Sequence, residues 1–551
     1  MELPIDAHLL DTSRGDLTPT SFFNASLNEH GRYDGMRCVI RLSPRVHDLV
    51  ASLPDGIGFR SDVSWDQVQA FSTYLHETVH WWQHVGSTCG LMLSLSYPAQ
   101  THSNINHLRH FAKTIGPRKS ILEYAATAPG PRGSGTPAGL ANTIINNQFD
   151  INAYRLLATN PERAEPLVNH KMFESVGHAY QIALAQVLNA IGSTFDRTLA
   201  FLPDFREWEQ PFRRLRQDRV PGYFHGSPVA LSPIGAGFIF EGQARYGQLQ
   251  YLHFSSNGRF NFKDAYDAGM MDELYTEAFE TFLRLVGLDR PDTIDHPTVG
   301  LFLLICDIAN NPGEGFPLPI QSFATFLSDV DPGLRFIQLC SGVRLFCPDL
   351  ATAITDYSFE EYEAASERLC AVLKTYSPMA ICREVSRWCE ENQPFRDNLI
   401  LHDSGKSSEL NPPIQLLFGQ FASFIRDKIK FAHILCWPGA HMAGTRATDN
   451  SIGIFSRQSP LFIDRAEDEM IVPVLKAGLI EADVMESFQR FYDSYALYEL
   501  TTQWIIAPGS FTYPFRWLQP NGSDTQVKEW ADRIFENAYG VAPDDFTILR
   551  T

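Results

Sequence analysis

The chain has 551 residues, 44% hydrophobic and 20% charged, which is enough to bury a large core and suggests two to four domains. A formal net charge of −19 and a sequence pI near 5.3 disfavour non-specific binding to nucleic acid or to an anionic membrane. Nine scattered cysteines without a Cys-x-x-Cys pair argue against a disulfide framework or a Cys₄ zinc site and point to a reducing, cytoplasmic setting.

Residues 1–15 lack the charged and apolar regions of a signal peptide, and no run of about 18 apolar residues predicts a membrane span. Residues 1–60 are rich in turn formers, with one convincing strand at Arg37–Leu42. The next segment dominates the reading. Ser64-Trp65-Asp66-Gln67 forms a capping box, with Val63 and Val68 placed as a hydrophobic staple, and Gly86 is a plausible stop. A helix is therefore expected from Trp65 to Val85, with Val68, Phe71, Leu75, Val79 and Trp82 as its apolar stripe. Its other face carries Gln69, Thr73, His76, Glu77, His80, Gln83 and His84.

That face contains His76-Glu77-Thr78-Val79-His80, the pattern His-Glu-x-x-His. Two histidines four apart on a helix lie one turn above each other and can grip one metal ion, with the intervening Glu77 as base for a water on that ion. A chain of this composition gives roughly 0.03 such matches by accident. His84 is too far for the same ion, because eight residues span about 12 Å of helix. It is expected to cap the helix or to support the ligands.

A later segment, Phe240-Glu241-Gly242-Gln243-Ala244-Arg245-Tyr246, supplies a third candidate ligand about 160 residues on. The His76-Glu77-x-x-His80 motif followed by Glu241 before small residues resembles the gluzincin group of zinc metallopeptidases. The resemblance implies a zincin-like catalytic core with a small sheet beside the motif helix. It also implies one zinc per chain on His76, His80 and Glu241, with Glu77 as general base, and a protein or peptide substrate. Asp150 and Glu174 are the reserve ligands. Tyr246 and His225 are the nearest candidates to steady an oxyanion. The plain reading of Glu241 is an i,i+4 ion pair with Arg245.

The rest of the chain reads as mainly helical, which makes the expected class α+β with a helical majority. Helices are expected at 101–127, 138–160, Phe173–Ile191, Met270–Val286, Thr298–Ala309, Ser358–Lys374, Pro378–Glu391, Gln415–Ile434, Leu479–Ile506 and Thr525–Ala538. Ala128–Pro137 is a loop by composition, and Ile452–Phe455 and Leu461–Ile463 are expected as short strands. The organisation expected is a metallopeptidase region over 1–330 and a helical region over 331–551, with Asp403–Pro413 as a linker and a regulatory protein as a further partner.

Three other readings compete. Glu77-x-x-His80 is half of a di-iron helical motif, but no second Glu-x-x-His exists. A helical interaction protein with a structural or vestigial metal site is another. The third is a metallohydrolase of non-peptide substrates.

Overall fold

A computed structural model describes residues 3–10, 30–53, 63–128, 133, 135–228, 231–518 and 522–549. Helices dominate, as the periodicity predicts, and two small sheets accompany them. Half of the Ala128–Pro137 loop, residues 129–132 and 134, lies outside the described residues.

The motif helix runs Trp65–Gly86. Its start is the expected capping box: Ser64 Oγ accepts the Gln67 amide at 3.2 Å, and Gln67 Oε1 accepts the Ser64 amide at 3.0 Å. Its end differs from expectation. Gly86 stays helical, and Ser87 closes this helix while opening the next, Thr88–Thr114, by accepting the Gly90 amide at 3.0 Å. Gly86 is glycine because of packing: a Cβ there would stand 2.4 Å from the ring of Phe424 on the helix Pro412–Cys436. Gly86→Ala is expected to cost about 1–3 kcal/mol by overpacking, read as a lower midpoint of thermal unfolding.

Both faces of the motif helix are buried, which the amphipathic reading did not anticipate. The apolar stripe packs as expected, Val68, Phe71, Leu75, Val79 and Trp82 all being buried. The polar face is covered as well. The stretch 3–10 lies along its first turns, where Thr73 Oγ1 donates to the Leu9 carbonyl at 2.8 Å and Gln69 Oε1 accepts the Asp6 amide at 2.8 Å. Polar side chains tolerate this burial because backbone groups of an otherwise irregular segment satisfy them.

The larger sheet has four strands. β1 (Gly31–Asp34) is antiparallel to β2 (Val39–Leu42), and β2 is parallel to β4 (Phe462–Asp464), pairing Val39 with Phe462. β4 is antiparallel to β5 (Ile471–Pro473). A second sheet pairs β3 (Arg118–Lys119) with β6 (Thr547–Ile548). The strand expected at Arg37–Leu42 is thus real but starts later. Asp34 Oδ1 accepts the amides of Met36 and Arg37 at 3.2 and 3.0 Å, which keeps Arg37 in the turn.

Ile452–Phe455, expected as a strand, belongs to the helix Asp449–Arg457. Thr448 Oγ1 caps it by accepting the Ser451 amide at 3.2 Å, a signal that outweighs the β-branched residues behind it. The Asp403–Pro413 stretch connects Gln393–Asp403 to Pro412–Cys436 as a fastened turn. Ser487 Oγ donates to the Gly405 carbonyl at 2.9 Å, and Asn411 Nδ2 donates to Thr194 Oγ1 at 2.8 Å. All nine cysteines are unpaired. Among the described residues no helix is long and apolar enough to cross a membrane.

Candidate metal centre

The four-residue spacing stacks His76 and His80 on one side of the motif helix, with ring centroids 4.8 Å apart. The Glu241 helix, Ala236–Ser255, packs against that side. Three ligand atoms converge there. His76 Nε2 and His80 Nε2 are 3.1 Å apart, and Glu241 Oε2 is 3.6 Å from the first and 3.3 Å from the second. Among the described residues this is the one group of His, Cys, Asp or Glu atoms that could hold a metal ion. On a tetrahedron with bonds of 2.0–2.1 Å, neighbouring ligand atoms are about 3.3 Å apart, whereas octahedral neighbours at that bond length are about 2.9 Å apart. The three observed edges, 3.1, 3.3 and 3.6 Å, average close to the tetrahedral spacing.

Hydrogen bonds fix one imidazole for ligation. Gln83 Oε1 accepts from His80 Nδ1 at 2.8 Å, so the Nε2 lone pair of neutral His80 faces the triad. Gln83 Nε2 in turn donates to the Phe240 carbonyl at 2.9 Å and to Gln243 Oε1 at 3.0 Å, and Asn310 Nδ2 donates to the same Gln243 oxygen at 3.2 Å. This chain ties the motif helix to the Glu241 helix through the side chain that orients His80. His76 Nδ1 is buried with no hydrogen-bond partner among the described residues. Gln83→Leu is expected to weaken metal binding by about 10–100-fold, measured by competition with a chromogenic chelator.

The two imidazoles diverge electrostatically. Burial pushes His76 down to about 4. Burial acts on His80 in the same direction, but the Glu241 carboxylate overcomes it and, with Glu77, lifts His80 to about 9. Glu241, although burial raises it, is held well below the usual carboxylate range by His80 and His76. Without a metal, then, the Glu241 carboxylate favours the protonated form of His80. A divalent cation competes with that proton. Glu241 is the ligand that meets solvent, its side chain being 28% exposed.

Glu77 is 2% exposed and lies under the sheet edge. A Cβ at Gly31 of β1 would stand 2.8 Å from Glu77 Cγ and 3.0 Å from its Oε1, so the strand approaches the carboxylate only because residue 31 is glycine. Gly242, the small residue after Glu241, has its nearest neighbours on two other helices rather than on the motif helix. It faces Ala278 and Phe302, each 3.2 Å from its would-be Cβ, and so admits the helices Glu273–Val286 and Pro297–Asn310.

The other candidates lie elsewhere. The ring of His84 covers Gly35 of the β1–β2 turn and lies tilted against Tyr33 and edge-on to Phe240, and burial pushes it down to about 3. Tyr246 is five residues past Glu241, about 140° round the helix, and its ring is packed on Phe279 and Phe302 at 4.4 and 5.2 Å. His225 is 69% exposed and faces Glu174 at 3.6 Å, in a polar cavity that none of the triad lines. Asp150 faces His178 at 3.4 Å. The structure therefore brings together His76, His80 and Glu241 with Glu77 in the same helix, and leaves Tyr246, His225, Asp150 and Glu174 apart from them.

Residues outside the predicted ligand and base set complete the surroundings. Gln243 and Asn310 belong to the orienting chain, and Arg245 lies over the ring of Tyr275 at 3.8 Å, with that ring 6.0 Å from His76. Gln83 and Gln243 had a legible signal, each lying at helical spacing from a candidate ligand; Asn310 and Tyr275 had none. Compared with protein-family models, curated proteins and solved structures, the chain matches none.

Proposed function

We propose that the chain is a metal-activated hydrolase whose ion is held by His76, His80 and Glu241. The observation that carries this reading is the triangle of 3.1, 3.3 and 3.6 Å between their ligand atoms, in a motif where Glu77 follows His76 directly in sequence. Two imidazoles, one carboxylate and tetrahedral spacing suit zinc best. The particular reading is a zinc metallopeptidase acting on a protein or peptide.

Bound zinc supplies a Lewis acid and brings the pKa of water to about 7. The chain's own residues do the rest. Glu77 accepts the proton of the attacking water and returns it to the leaving amine. Gln83 holds His80 in the tautomer that leaves Nε2 free to ligate. Gly31 keeps β1 against Glu77 and shields that carboxylate from bulk water.

A structural ion is the second reading, favoured by the burial of His76 and Glu77 at 1% and 2%. Elemental mass spectrometry of the purified chain, followed by cleavage of a peptide library with and without chelator, separates the two. About one zinc per chain with chelator-sensitive cleavage supports the peptidase. Zinc without cleavage favours the structural ion or a non-peptide substrate, and no bound metal after reconstitution removes both.

A further inference from the structure

A second cavity, of about 350 Å³, opens between β4–β5, the helix Pro412–Cys436 and the helix Glu481–Ile506. It shares no lining residue with the metal centre and stands independently of the hydrolase reading. The volume falls within the range of small-molecule sites, about 300–1,000 Å³. Its walls are mainly apolar, with Leu416, Phe462, Leu479, Val484 and Phe488 among them. Leu475 and Ile480, on the loop that frames it, are 52% and 62% exposed.

Three cations line the cavity in a chain of net charge −19, and two are already matched. Arg426 Nη2 meets both oxygens of Asp403 at 2.9 and 3.0 Å. Arg457 meets Asp427 through Nε at 3.2 Å and Nη2 at 2.7 Å. Lys476 differs. Its Nζ donates to the Arg457 carbonyl at 2.6 Å and forms no ion pair with a described residue. An ammonium has three donors, and a carbonyl takes one without neutralising the charge. Burial pushes this lysine down to about 8, against the opposing pull of the Asp403 carboxylate. The cavity thus combines an apolar interior with one uncompensated positive charge.

We propose that this cavity binds an aliphatic monocarboxylate, its chain among Leu416, Phe462, Leu479, Val484 and Phe488 and its carboxylate on Lys476 Nζ. A single unmatched charge suits a monoanion. A phosphate dianion would have to draw Arg426 or Arg457 from its aspartate.

Isothermal titration of the full chain with octanoate, and with octanamide as the uncharged control, tests the assignment. Octanoate is expected to bind one-to-one and at least about tenfold more tightly than octanamide, as a charge-assisted contact requires. Lys476→Met is expected to remove that tenfold preference while octanamide binds as before. Val484→Trp, which fills the cavity, should abolish both. No one-to-one octanoate binding by the parent chain, or parent-like octanoate affinity in Lys476→Met, overturns the proposal.

Discussion

Replacing Glu241 with alanine is expected to leave the purified chain nearly metal-free, below about 0.1 ion per chain against about one in the parent. Glu241 supplies one of three ligand atoms and the only negative charge among them. Without it, two buried neutral imidazoles face a divalent cation alone. The same substitution removes the main opposition to burial at His80, leaving only Glu77 and Gln83 against it, so its pKa falls from about 9. Elemental analysis reads the first effect. The second control is thermal unfolding with chelator. An ion at about 1,000 times its Kd stabilises the native state by about 4 kcal/mol, so chelator should lower the parent's midpoint and leave Glu241→Ala unchanged. A variant that keeps one ion per chain would remove Glu241 from the ligand set.

Glu77→Gln is expected to keep the ion and lose turnover. Gln has nearly the same volume, so the packing of Gly31 over residue 77 survives. Its amide cannot accept the proton of the attacking water. Loss of a general base lowers kcat/KM by about 10²–10⁴-fold, or about 2.7–5.4 kcal/mol of barrier. Full metal content with that loss supports the assigned role. Full metal content with parent-like kcat/KM would show that Glu77 only fills space beneath the strand. Because the two substitutions separate binding from turnover, they fail independently.

The motif helix was legible for local reasons. A capping box needs only Ser64 and Gln67, and the four-residue spacing of His76 and His80 fixes their common face whatever surrounds them. The helices Phe359–Leu373 and Pro378–Glu391 were legible from their own spacing, and the structure caps them with Ser358 and Ser377. Ile452–Phe455 was misread because β-branched residues suggest a strand, whereas Thr448 and Ser451, just upstream, decide for a helix. The burial of the polar face from Gln69 to Gln83 was not legible, because covering groups come from residues 4–9 and from β1.

By itself the sequence determined the helix, its two histidines and the carboxylate between them, since each depends on contacts within one or two turns. Tertiary structure alone decided which distant residue joins them. Glu241, Asp150 and Glu174 are alike as carboxylates, and only the packing of the Ala236–Ser255 helix on the motif helix brings the first to His76 and His80. The same packing turns Tyr246 into the aromatic core and leaves His225 in another cavity. The joining of β2 to β4 across more than 400 residues is likewise beyond local signals. Short strands of three or four residues carry little periodicity, and their pairing is set by what packs beneath them.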